Sequence, residues 1–351
     1  MAEERKEGSL ISAPSLSAPA SNQSGARILP SLGILLVAGG LFLIGWFLYL
    51  WFKPLPPPYT YQLVEEGGVA NFSNLQLEAW PDLKISKYEL RVPSLDKPVA
   101  VAYRTNNRSG DPILLSLENL VSEPIVSMSV NLSELIPLAT DITKHVPKEA
   151  LILGWWDTSR QLRLLSGCDT VFTSYLGEPL IVPSYWKDRS VVINEYEHQF
   201  WGAKESPEEH RKFQIFADAL SSEASTGVAM LRELVGSREA YVIVHPTDLY
   251  KVALMRPDRI DLAFKDFPLT GNVHGLAGQV KAWMKENGYN TYTLQSLSET
   301  VVRAYFLNES KTGKVLLAHM LPLMNSTPID FQALQVVHKQ GGYWVFKIPS
   351  A

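Results

Sequence analysis

From Leu29 to Phe52 the chain carries no charged side chain, and nearly every residue from Leu32 onward is apolar. As a helix, the 22 residues from Ser31 to Phe52 would run roughly 33 Å, enough to cross a bilayer. Trp46, Tyr49 and Trp51 gather near one end, where an aromatic belt sits at a membrane surface. A cleaved signal peptide would have a shorter apolar region followed by small residues. Here Lys53-Pro54-Leu55-Pro56-Pro57-Pro58 follows, which favours an uncleaved anchor and a stiff spacer. Arg5, Lys6 and Arg27 precede the span, whereas beyond it Lys53 stands alone until Lys84. Positive charge stays cytoplasmic. The tail is therefore expected inside and everything downstream in the periplasm, as a single-pass protein of the inner membrane.

The remaining composition removes several function classes. The chain has 351 residues and a net charge of −4. Residues 1–53 hold Glu3, Glu4 and Glu7 against Arg5, Lys6, Arg27 and Lys53, a net of +1, so the remainder carries −5. Such a domain lacks the clustered basic face that nucleic acid requires. Cys168 is the only cysteine, which excludes an intrachain disulfide, a cysteine-rich zinc site and covalent c-type haem. No Gly-x-Ser-x-Gly, phosphate loop, Gly-x-Gly-x-x-Gly or His-Glu-x-x-His occurs. No complete catalytic set is visible, and no cofactor or metal is expected.

Residues 1–28, rich in Ser, Ala and Pro, read as a disordered cytoplasmic tail before the helix at 29–52 and the spacer at 53–58. Residues 59–130 read as a β-rich module, with strands expected at 75–80, 83–92, 98–104 and 124–130 and a turn at 107–110. From Asn131 the period becomes helical. Helices are expected from 131 or 133 with Pro137 in the first turn, after Asp157, from Ser206 to Val235 with a break near Ser225-Thr226-Gly227, and at 276–287. Apolar runs at 150–154, 240–244 and 314–318 read as strands, and 334–338 with 343–348 as a hairpin around Lys339-Gln340-Gly341-Gly342. The fold class is thus α/β: residues 131–351 form an α/β sandwich with a mixed sheet whose antiparallel edge is the closing hairpin.

The strand at 150–154 runs into Trp155, Trp156 and Asp157, at a strand end where α/β folds place their sites. The two rings and the acid suit a corner that grips a hydroxyl-bearing partner side chain. Alternatively, one ring is core, the other covers a helix, and Asp157 caps the helix from Thr158 to Leu165. Arg160 and Arg163, with Asp169 nearby, form either a salt-bridged surface or an anion site. Tyr185, Trp186, Tyr196, Phe200 and Trp201 offer a patch for a protein partner or a loop folded on its own aromatics. His198 and His210 would need to converge with Glu195 and Glu197 to hold a metal, Cys168 reads as a small buried hydrophobe, and His245 reads as a cap or turn residue.

Two resemblances extend this reading. Residues 146–157, Val-Pro-Lys-Glu-Ala-Leu-Ile-Leu-Gly-Trp-Trp-Asp, resemble the approach to the Trp-Trp-Asp motif of oligosaccharyltransferase catalytic subunits. The likeness extends through Phe216-Ala217-Asp218-Ala219-Leu220 to Ala240-Tyr241-Val242-Ile243-Val244. That family's motif continues with tyrosine and glycine, whereas Thr158 and Ser159 follow here, and its catalysis uses a many-span membrane portion. The resemblance implies a fold and a peptide- or glycan-contacting corner without glycosyl transfer. Over its full length, the chain is similar to the HaoB family. The likeness rests on one anchor, a proline spacer and Gly-Trp-Trp-Asp-Thr-Ser-Arg at 154–160 followed by Leu-Leu-Ser-Gly at 164–167. It implies an accessory protein of hydroxylamine oxidation in nitrifying bacteria, partnered with the secreted multihaem hydroxylamine oxidoreductase or its associated cytochromes.

Overall fold

The computed structural model describes residues 25–349 apart from 54, 122, 129–131, 203, 205, 270–272 and 325–332. Two units separate after Leu55. The first is the helix α1, Gly25–Phe52, whose side chains from Leu32 to Phe52 are exposed apart from half-exposed Gly40.

The second unit opens with an antiparallel meander of β1 (Thr60–Gly68), β2 (Lys84–Arg91), β3 (Ala100–Asn106) and β4 (Pro112–Asn119). Helix α2 (Leu132–His145) buries Leu135, Leu138, Ala139 and Ile142 at helical spacing and leads to β5 (Leu151–Leu153). Helix α3 (Trp156–Ser166), β6 (Asp169–Thr170) and α4 (Ser190–Phe200) follow. Helices α5 (Pro207–Ser221) and α6 (Ala224–Val235) pack as a pair before β7 (Ala240–Val244). Helix α7 (Pro246–Met255) then leads to β8 (Leu262–Pro268), α8 (Val273–Glu286), β9 (Thr291–Ser296) and β10 (Val301–Leu307). The short helices α9 (Glu309–Thr312) and α10 (Leu316–Met320) precede the hairpin β11 (Gln335–Gln340) and β12 (Tyr343–Ile348).

The central sheet has the order β11-β12-β7-β5-β6. Strands β5, β6 and β7 are parallel, and the hairpin adds the antiparallel edge. Strand β7 is buried at all five positions, as a parallel strand covered on both faces must be. The fold is α/β as the sequence implied. One apolar core runs from Leu90 and Leu117 of the meander through Leu153 and Val242 of the central sheet to Phe213 and Leu316 of the helices. A smaller three-stranded sheet, β8-β10-β9, packs its own cluster of Phe267, Val280 and Phe306 under α8.

Several segments differ from their sequence reading. The expected strand at 75–80 follows a 3-10 turn, Val69–Leu75, and carries Gln76 in the left-handed region at φ 56°. Its alternation arises instead because Leu77 is buried while Trp80 donates from its ring nitrogen to the Leu165 carbonyl at 2.8 Å. The run at 314–318 turns into α10, since five apolar residues have no distinguishable period. The run at 124–130 contributes one bridge, Val126 with Ile181; residues 129 and 130 lie outside the described residues. Pro137 lies inside α2 and not in its first turn. From the sequence no element is expected at β1, β4 or α4, although Ile113-Leu114-Leu115-Ser116-Leu117 in β4 is an apolar run of strand length. The break in the long helix falls at Ser222-Glu223, close to the expected site.

Candidate functional site

Strand β5 delivers Gly154 and Trp155 to its C-terminal end, and α3 begins there with Trp155 as its N-cap. Asp157 therefore sits in the first turn and not at the cap, where its carboxylate favours the helix N-terminus. Its Oδ1 accepts the Thr158 N–H at 2.6 Å. Trp155 and Trp156 are 1% and 7% exposed. Both indole N–H groups donate to the Glu178 carbonyl, at 3.3 and 2.5 Å. The Trp155 ring meets Phe213 edge-on, and Trp156 meets Tyr175 in the same way. A cavity of about 20 Å³, room for one water-sized molecule, is lined by Trp155, Trp156, Asp157 and Tyr175 among others.

The charge at this corner is matched from α7. Lys251 lies 3.4 Å from both Asp157 oxygens, 3.6 Å from Asp248, and 5.4 Å from the centre of the Trp155 ring. All three charged side chains are buried. Burial pushes the Asp248 carboxyl up, and Lys251 and His245 pull it partly back. His245 closes the N-terminus of α7 in a reciprocal capping box with Asp248, the cap role expected of it. Its Nε2 faces Glu134 at 3.5 Å. Lys251 was missed in the sequence; the signal was a lysine on the helical face it shares with Asp248 and Val252.

One turn along α3, Arg160 is 4% exposed. Its Nε donates to the Thr173 carbonyl at 3.1 Å and its Nη2 to the Pro112 carbonyl at 2.6 Å. Burial lowers its pKa to about 10, which leaves it cationic at neutral pH. Arg163, a further turn on, is exposed and pairs with Asp169 at 2.9 Å, while Arg238 holds the other Asp169 oxygen at 2.8 Å. The left-handed Gly167 ends α3 as expected and aims the chain into β6. Between α3, the β3–β4 turn and the 167–175 segment lies an open, mostly polar cleft of about 680 Å³.

The aromatic segment folds against the start of the meander. Phe200 stacks on Tyr61 at 3.8 Å, Tyr196 stacks on the same ring, and Trp186 lies 5.5 Å from Tyr59. Trp201 is buried, while Tyr185 is 58% exposed. The group encloses Glu197, which is fully buried. Glu197 accepts from the Tyr59 and Tyr61 hydroxyls at 2.5 and 2.9 Å and from the Trp201 ring nitrogen at 2.8 Å. Burial raises its pKa and these donors oppose the rise, leaving it at about 7. His198 packs edge-on to Tyr175 and His210 faces Glu178 at 3.3 Å. Among the described residues no group of three or more His, Cys, Asp or Glu could hold a metal ion. The Cys168 thiol is free and half-buried, with its pKa raised by burial.

A family model described as "HaoA-associated protein HaoB" matches residues 25–348. No curated protein matches. Among solved structures, the C-terminal domain of C. jejuni PglB is similar at 11% identity and a TM-score of 0.35. That match covers 61% of this chain and 99% of the PglB domain.

Proposed function

The chain belongs to the HaoB family of HaoA-associated proteins, and from that premise we propose a membrane-anchored accessory protein of hydroxylamine oxidation. In this reading α1 holds the chain in the inner membrane and the unit that follows lies in the periplasm. There it tethers or assists HaoA, the secreted hydroxylamine oxidoreductase, at the membrane surface.

The observation that carries the anchor is the span Ser31–Phe52, with mean hydropathy 2.2 and none of it buried. Leaving Ile34 at 72% and Phe42 at 70% exposure in water would be costly, and lipid removes that cost. The uneven distribution of basic residues around it supports this orientation. Tyr185 and the half-buried Trp186 beside it give the partner an aromatic contact, the residue types that dominate interface energetics.

Cross-linking in native membranes followed by detergent extraction tests this. HaoA is expected to be recovered with the full chain and lost when residues 31–52 are deleted. Protease added to spheroplasts is expected to digest the unit after α1. A mature chain beginning after Phe52, a protected domain, or cross-links that never include HaoA would each overturn the reading.

A further inference from the structure

The cleft beside α3 has a charge pattern that the accessory role does not explain. Arg108, Lys148, Arg160, Arg163 and Lys204 line it against Asp111 and Asp169, five cations against two carboxylates. This net of +3 stands on a chain whose overall charge is −4. Both carboxylates are already occupied. Lys204 lies 2.5 Å from Asp111, and Asp169 is shared by Arg163 and Arg238.

Three cations remain. Among the described residues, Arg108, Lys148 and Arg160 have no carboxylate within 4 Å. For exposed Arg108 and Lys148 water supplies the answer. Arg160 is different, because it is 96% withdrawn from water and still charged. Two backbone carbonyls take its Nε and one Nη2 hydrogen, and its Nη1 has no partner among the described residues. Asp111, Asp157 and Glu209 act on Arg160 only from beyond ion-pair distance, and a buried guanidinium without a carboxylate in direct contact is incompletely compensated. The cleft it lines is within the size range of small-molecule sites, roughly 300–1,000 Å³. A carboxylate or phosphate entering there would meet planar N–H donors suited to its oxygens.

We propose that this cleft binds a small organic anion bearing carboxylate or phosphate groups, with Arg160 at its floor and Arg108 and Lys148 at its rim. Asn107, Ser109 and Ser174 also line the cleft and supply neutral polar contacts.

Calorimetric titration of the full chain in detergent, with citrate and inorganic phosphate at matched ionic strength in sodium chloride, tests this. Saturable binding of at least one probe, at one site per chain, is expected. Arg160→Lys should weaken it at least ten-fold, since an ammonium cannot reproduce the guanidinium geometry. The exposed pair Arg108→Glu with Lys148→Glu should weaken it by a similar factor, and covers the case in which the Arg160 variant fails to fold. Absence of saturable binding overturns the proposal. So does binding that survives the rim substitutions unchanged, or binding of a poly-glutamate peptide when neither small anion binds.

Discussion

Lys251 and Arg160 are buried to nearly the same degree, at 3% and 4% exposure, and their charges are answered in opposite ways. Lys251 lies between Asp157 and Asp248 in a tight corner with space for about one water. Arg160 donates its hydrogen bonds to backbone carbonyls, lies 6.0 Å from the centre of the Tyr175 ring with no carboxylate in contact, and lines an open cleft. A buried cation flanked by carboxylates is complete within the fold. One held by neutral dipoles at the bottom of a basic cleft leaves room for the charge of a ligand, as proposed above. The Trp-Trp-Asp corner draws the eye in the sequence, yet its rings and acid are consumed by internal contacts, while one turn on the buried Arg160 lines the cleft.

The largest effect separating the two should come from Lys251→Met. It leaves two carboxylates buried without their cation, a change that costs about 3–5 kcal/mol in comparable sites. A urea midpoint lowered accordingly is expected. Adding Asp157→Asn to the same chain should restore part of the loss, because one of the stranded charges is removed. A midpoint unmoved by Lys251→Met would show that the corner is not held by its ion pairs.

Glu197 sharpens the comparison as a buried charge answered by neutral donors alone. Its carboxyl is raised to about 7 in the folded protein, against about 4.3 unfolded. Between those values the folded state holds the extra proton. Its contribution to stability is therefore complete below about pH 4 and is lost as pH rises through 7, by about 3–4 kcal/mol. Glu197→Gln should flatten the urea midpoint against pH across that window relative to the parent. An identical slope in both proteins would place the titration elsewhere.

Third in size is Arg160→Met. It strips two carbonyls of their donors but strands no opposite charge, so a loss of about 1–2 kcal/mol is expected, clearly below that of Lys251→Met. Equal losses at the two sites would erase the distinction between them.

What was legible in the sequence follows from range. Strand β7, the closing hairpin, the Gly167 stop and the His245 cap are written within a few residues, through apolar runs, a glycine turn and capping chemistry. Arg160 was noticed beside Arg163, but its burial is made by Pro112, 48 residues away on the meander. Glu197 looked like a metal candidate because the tyrosines that enclose it come from 136 and 138 residues upstream. Asp157 was weighed as a cap or a contact, and neither reading contained Lys251, 94 residues downstream. Local signals gave the elements; the partners of buried charges are set by topology, which no window of sequence displays.

The smallest effect tests whether the cleft wall belongs to the fold or to a ligand. Arg163 is 49% exposed and Asp169 is 42% exposed, so their pair is screened by water. Arg238 also remains on Asp169 when Arg163 is removed. Arg163→Ala should therefore change stability by about 0.5 kcal/mol or less. The same substitution takes one positive charge from the cleft, so it should weaken citrate binding several-fold while leaving the urea midpoint almost unchanged. Loss of binding without loss of stability would mark the wall as ligand-facing. A midpoint that falls by more than about 1 kcal/mol, with affinity intact, would make Arg163 a brace for β6 and return the cleft to ordinary surface.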